Sequence, residues 1–174
     1  MGYFKEDGYK RNAHNASHDE YATPWPLVRF WEDYIGRKFT LDPASSTTNH
    51  KARTFLTKRD NGLTSDWGPN TCLLNPPFSN GGILRWTTRS VDAARWGALV
   101  LGVLPNWVND PWAVQNVKPF ASELFFIEGR IRFLGANGKP GFQPTFGSVV
   151  VIWRPGLRPA GTDLKVDWIR CPLR

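Results

Sequence analysis

An α/β fold with a mainly parallel sheet and a C-terminal antiparallel hairpin is the architecture this sequence predicts. Two observations predict it. Apolar runs at 39–41, 71–74 and 98–104 are separated by two long intervals that hold helix-patterned segments. Beyond residue 117 the runs at 124–127, 131–133 and 149–153 follow one another with no helix between them. Strands joined through helices pair in parallel, and successive strands favour hairpins. The 174 residues, 41% of them apolar, suffice for one domain with a sizeable core.

Residues 1–20 are polar and lack periodicity, so they read as a flexible arm or lid ahead of a main domain over 21–155. Thr23-Pro24 opens the first helix, Thr as the N-cap and Pro at the first helical position. Leu27, Phe30, Trp31, Tyr34 and Ile35 follow one helical face, and Gly36 ends it. A short strand at 39–41 breaks at Asp42-Pro43. The 33 positions from Asp42 to Asn75 hold about one strand–helix–strand unit, with 51–59 helical in part and a turn at Asn61-Gly62. Ile83, Thr87, Val91 and Ala94 mark the next helix, and Asn109-Asp110-Pro111 caps a short one over 112–117. The runs at 131–133 and 149–153 flank a Gly/Pro-rich loop at 135–147 and are read as the two arms of the hairpin. The tail, 156–174, holds one strand candidate at 164–168.

A net charge of +7 and a pI near 9.7 favour an anionic partner. Nucleic acid leads, since no basic amphipathic helix and no apolar run of spanning length is present. Nine Trp and eleven Phe leave aromatic rings beyond the needs of the core, available for stacking on bases. Cys72 and Cys171 read as free thiols, and the polar N-terminus lacks a signal-peptide pattern, which together suggest the cytoplasm. His14 and His18 are four apart without further ligands, so no metal site is expected.

The sharpest local pattern is Asn75-Pro76-Pro77-Phe78, directly after the 71–74 run. Two prolines fix φ and remove main-chain donors, leaving carbonyls as acceptors. With the Asn75 amide and the face of Phe78, they form a rigid clamp for a flat, amino-bearing ring. Such a clamp suits methylation of an exocyclic amine, adenine above all.

This motif resembles the Asx-Pro-Pro-aromatic signature of amino methyltransferases that use S-adenosylmethionine, enzymes of a compact Rossmann-like fold whose sheet ends in an antiparallel hairpin. The resemblance implies that Asn75 and Pro76 accept hydrogen bonds from the target amine, that Pro77 stiffens the turn, and that Phe78 stacks on the extruded base. Tyr21-Ala22-Thr23-Pro24 is similar to a Thr-Pro element that contacts the cofactor's methionine end. Asp42-Pro43-Ala44 resembles a cofactor motif that relatives continue with a glycine-rich turn. Here Ser45-Ser46-Thr47-Thr48 follows, so either the turn is built differently or the cofactor sits less deeply. Asp66, nine residues before the clamp, matches an acidic position that meets the cofactor's adenine amine. The order of these elements, with Glu128-Gly129-Arg130-Ile131-Arg132-Phe133 downstream, resembles the small phage and prophage DNA adenine methyltransferases (Dam-like) over residues 20–155.

The resemblance implies S-adenosylmethionine as cofactor and double-stranded DNA as partner, for a monomer or weak dimer in the host bacterial cytoplasm. Lys51, Arg53, Arg85, Arg89, Arg130, Arg132 and Lys139 are the phosphate-contact candidates. Asn137, Lys139 and Gln143 make the 135–147 loop a candidate groove reader. Three rivals stay open: a guanine-amine RNA methyltransferase, a glutamine methyltransferase, and a non-catalytic DNA-binding protein.

Overall fold

The structure is a computed structural model describing residues 21–78, 82–135 and 144–171. The expectations for the 1–20 arm with His14 and His18, and for Asn137, Lys139 and Gln143, lie outside the described residues. The described strands are β1 Leu41–Asp42, β2 Thr54–Phe55, β3 Thr71–Leu74, β4 Leu99–Pro105, β5 Glu123–Glu128, β6 Ser148–Trp153 and β7 Lys165–Arg170. They form one sheet in the order β2-β1-β3-β4-β6-β5-β7. β6 runs antiparallel to both β4 and β5, and the other pairings are parallel.

The mixed, mainly parallel sheet matches the sequence reading, with two differences. The antiparallel pair is β5 with β6, and it lies inside the sheet because β7 from the tail pairs with β5 and takes the edge. Residues 131–133 form no strand. Ile131 and Phe133 are buried on either side of exposed Arg132, an alternation that marks extended chain without requiring a ladder. Just beyond it, Leu134 forms an antiparallel bridge with Ala22.

Strands buried on both faces should be largely apolar, and β4 and β6 are, with Ser148 at the start of β6 the one polar residue between them. Alternate side chains feed two cores. Cys72, Leu74, Val100, Leu104, Val151 and Trp153 pack towards α2 (Gly82–Arg95) and a short π-type helix, Ala113–Val117. Leu73, Leu101, Val103, Val150 and Ile152 pack towards α1 (Trp25–Ile35). Gly102 sits on the first face, where an added Cβ would lie 3.1 Å from the ring of Trp153. That ring cannot easily yield, because its Nε1 donates to the Asn116 carbonyl at 2.9 Å in the core. Gly102→Ala is therefore expected to destabilise the protein by roughly 1–3 kcal/mol through overpacking. A denaturant midpoint unchanged from the wild type would refute this.

α1 begins one residue later than the sequence reading placed it. Pro24 occupies the N-cap with φ −65° and ψ 140°, no side chain caps the helix, and Pro26 lies in its first turn. Thr23, read as the cap, is buried elsewhere. Gly36 ends the helix as expected, left-handed at φ 67°. Between β1 and β3 there is no helix; the segment expected to be partly helical holds β2 instead. Two-residue strands with no apolar run of their own leave little periodic signal.

Candidate active site

The parallel strands deliver their C-terminal ends to one edge of the sheet, the edge where α/β folds bind ligands. Asp42 closes β1, Asn75 follows β3, Trp107 follows β4, Arg130 follows β5 and Phe146 precedes β6. At that edge a small cleft, open to solvent, is lined by Tyr21, Thr23, Asp42, Ala44, Asn49, Lys51, Leu73 and Asn75. It gathers Thr23, Asp42, Ala44 and Asn75 from three separate motifs. Pro24 and Pro43, expected beside them, are buried and are not among the lining residues; the Pro24 carbonyl accepts the first α1 hydrogen bonds.

Asp42 is buried, and its Oδ2 accepts the Lys51 main-chain N–H at 2.9 Å. Burial dominates its titration and pushes the carboxyl up to about 6, against the opposing hydrogen bonds from Lys51 and Ala44. The turn after it is built without glycine. Ser45 N–H donates to Leu56 O at 3.0 Å, Ser45 Oγ lies 3.3 Å from Asp42 O, and Ser46 and Asn49 exchange main-chain bonds. No residue from 45 to 48 has positive φ, so none needs glycine's freedom.

Glycine is required further on. A Cβ on Gly62 would lie 2.0 Å from the Pro43 carbonyl oxygen. Trp67, fully buried, donates its Nε1 to Gly62 O at 2.8 Å and stacks on Trp86 of α2. The 61–67 segment therefore braces the Asp42 loop. Asp66 within it is exposed, does not line the cleft, and accepts from Gly68 N at 2.9 Å as a turn carboxylate.

In the clamp, Asn75 Nδ2 donates to the Tyr21 carbonyl at 2.6 Å. This bond uses the amide's donor side and leaves Oδ1 as the acceptor it can present. Tyr21 is itself fixed, since Ala22 and Leu134 exchange two main-chain bonds and Tyr21 packs on Phe133. Pro76 is buried and Pro77 exposed, and no described residue donates to the Pro76 carbonyl. Phe78 is half-buried, with its ring 5.9 Å from Phe146, which in turn lies 5.1 Å from Trp107. Asn49 and Leu73 were missed by sequence reasoning, and Tyr21 was noted only as the start of the Thr-Pro element; a main-chain carbonyl leaves no residue-type signal.

The basic candidates divide. Arg130 and Arg132 are exposed on the clamp's edge of the sheet, Arg130 donating to Pro144 O at 3.1 Å. Arg53 and Arg85 are exposed, one before β2 and one in the first turn of α2. Arg89 is committed inward: it donates to Ser65 O at 2.7 Å and lies over the Trp67 ring. Lys51 lines the cleft itself.

Residues 10–166 match the family described as DNA N-6-adenine-methyltransferase (Dam). The chain belongs to that family. Among its relatives, the DNA N-6-adenine-methyltransferase of Haemophilus phage HP1 (strain HP1c1) is 30% identical over 84% of each chain. That of Escherichia phage T1 is 27% identical over 82% of this chain and 66% of the relative. The family match runs from before Tyr21 into β7, so the Asp42 loop, the clamp and the whole cleft fall within this methyltransferase region.

Proposed function

We propose that the chain methylates the N6 amine of adenine in double-stranded DNA, using S-adenosylmethionine. The observation that carries this reading is the Asn75–Tyr21 hydrogen bond, which fixes an amide acceptor at the mouth of a cleft holding a buried carboxylate. The donor set fits a zwitterionic nucleoside. Asp42 offers an acceptor, Lys51 a cation, Thr23 a hydroxyl and Asn49 an amide, beside apolar Leu73 and Ala44. Asp66 remains a candidate for the cofactor's adenine amine only if the ligand extends beyond the cleft. Bound there, S-adenosylmethionine supplies an electrophilic methyl group.

The protein's part is positioning. Asn75 Oδ1 and the Pro76 carbonyl would accept from the two N–H groups of the amine, which draws its lone pair out of conjugation with the ring so that it can take the methyl group, the surplus N–H proton passing to solvent. Orientation and fixed dipoles supply the acceleration, so no strong general base is needed. A base in a duplex must be flipped to reach this site. Phe78 gives it a stacking face, and Arg130 and Arg132 sit where phosphates would pass. Phe78→Ala is expected to weaken base binding by roughly 1–3 kcal/mol; unchanged affinity and rate would make the ring merely a core element. Phage-encoded relatives suit a role in marking DNA against host restriction, in a bacterial cytoplasm, by a monomer or weak dimer.

Competition tests the substrate. Transfer of labelled methyl groups to duplex DNA should be suppressed by unlabelled duplex and untouched by structured RNA or glutamine peptides. Suppression by RNA alone would favour the guanine-amine rival.

A further inference from the structure

Lys51 is a phosphate-contact candidate by charge alone, yet its surroundings are those of a ligand-binding group. Its main-chain N–H is tied to Asp42 Oδ2 at 2.9 Å, which fixes its Cα at the cleft wall. Its Nζ donates to Asn49 Oδ1 at 2.9 Å and lies 5.3 Å from the centre of the Trp25 ring. Trp25 opens α1 two residues beyond Thr23, and Thr23 and Lys51 line the same cleft. Among the described residues no carboxylate lies within ion-pair distance of it. Its contacts among the described residues are a neutral amide and a ring face, and the Asp42 carboxylate acts on it only from beyond ion-pair distance, so this half-buried cation can take a closer anion.

We propose that Lys51 binds the α-carboxylate of the cofactor's methionine half, and so selects an amino-acid-bearing sulfonium nucleoside over one without the carboxylate. The inference rests on the reading that the cleft takes S-adenosylmethionine. Burial holds the lysine below its usual range, with the charge of Asp42 only partly opposing it, and a carboxylate beside Nζ would relieve that penalty. A DNA phosphate is a poorer match. Trp25 covers the ammonium on one side and Asn49 occupies another, whereas Arg130 and Arg132 stand exposed on the same edge for phosphates. Charge-assisted pairing in a partly dry site also contributes more than at an open surface.

Two ligands differing only in the carboxylate test this by calorimetry. The wild type should bind S-adenosylmethionine about tenfold or more tighter than its decarboxylated form, as expected of one partly buried charged contact. Lys51→Met keeps the apolar stem and the main-chain bond to Asp42 while removing the charge. It should reduce that preference to about threefold or less by weakening S-adenosylmethionine, with decarboxylated ligand binding as before. A wild type indifferent to the carboxylate would overturn the proposal without any variant being needed. So would an undiminished preference in Lys51→Met accompanied by weaker DNA binding and a salt slope shallower by about one, which would place Lys51 on a phosphate. Failure of both ligands to bind the folded wild type would instead overturn the cofactor reading on which the proposal rests.

Discussion

Asn75→Ala is expected to lower kcat by roughly 100- to 1,000-fold or more, the loss typical of removing one preorganised polar contact to a reacting group. Cofactor affinity should change little, because Asp42, Thr23 and Lys51 remain. The substitution removes the acceptor for the amine and also frees the Tyr21 carbonyl, which Asn75 Nδ2 holds at 2.6 Å. Since the contact matters in the transition state, kcat and kcat/KM should fall together. Asn75→Asp separates the two roles. It keeps an oxygen for the amine but sets an acceptor against the Tyr21 carbonyl, so it should retain partial activity at best. A fully active Asn75→Ala enzyme would remove the residue from the mechanism.

The second large effect joins function to stability at Asp42. Asp42→Asn is expected to weaken S-adenosylmethionine binding by roughly 10- to 100-fold, the loss of a charged hydrogen-bond acceptor in a partly dry cleft. Its effect on folding should have the opposite sign. The folded carboxyl titrates at about 6, above its unfolded value, because burial disfavours the charge. The folded protein therefore binds this proton more tightly, and stability falls as pH rises through about 6. Asparagine removes the buried charge and can still accept the Lys51 N–H through Oδ1. The variant should thus be more stable than the wild type at pH 8, by on the order of 1–3 kcal/mol, with the advantage fading towards pH 4. Urea midpoints across that range check it; a variant less stable at pH 8 would contradict the account.

What the sequence disclosed follows from where its signals are strong. The 71–74 run is β3 as read, and the helix begun at Ile83 is α2 within a residue at each end. Both carry unbroken periodicity. The tail strand also appears, as β7, although its mostly exposed residues gave it a weak pattern. The 131–133 run misled because alternating burial records an extended backbone packed on one side, whatever its hydrogen-bond partners. Thr23 misled in another way: Thr-Pro suits a helix start, but Pro24 took the cap and left the threonine to line the cleft.

The site was legible where residue type carries the chemistry. Asp42, Ala44, Thr23 and Asn75 converge on one cleft from motifs up to 52 positions apart in sequence. Its remaining walls were hidden. Tyr21 acts through its main-chain oxygen, Leu73 is one of three apolar residues in β3, and Lys51 looked like any other member of a basic cluster. The 61–67 segment drew notice for Asp66, whereas Gly62 and Trp67 are what brace the Asp42 loop, through a close approach that only the fold creates.

The most direct test of the central claim is nucleoside analysis of unmethylated duplex DNA after incubation with the protein and methyl-labelled S-adenosylmethionine. Label recovered as N6-methyladenine with the wild type, and lost with Asn75→Ala, is the predicted result. Label in a different base, or none in DNA from a folded protein that binds the cofactor, would contradict it.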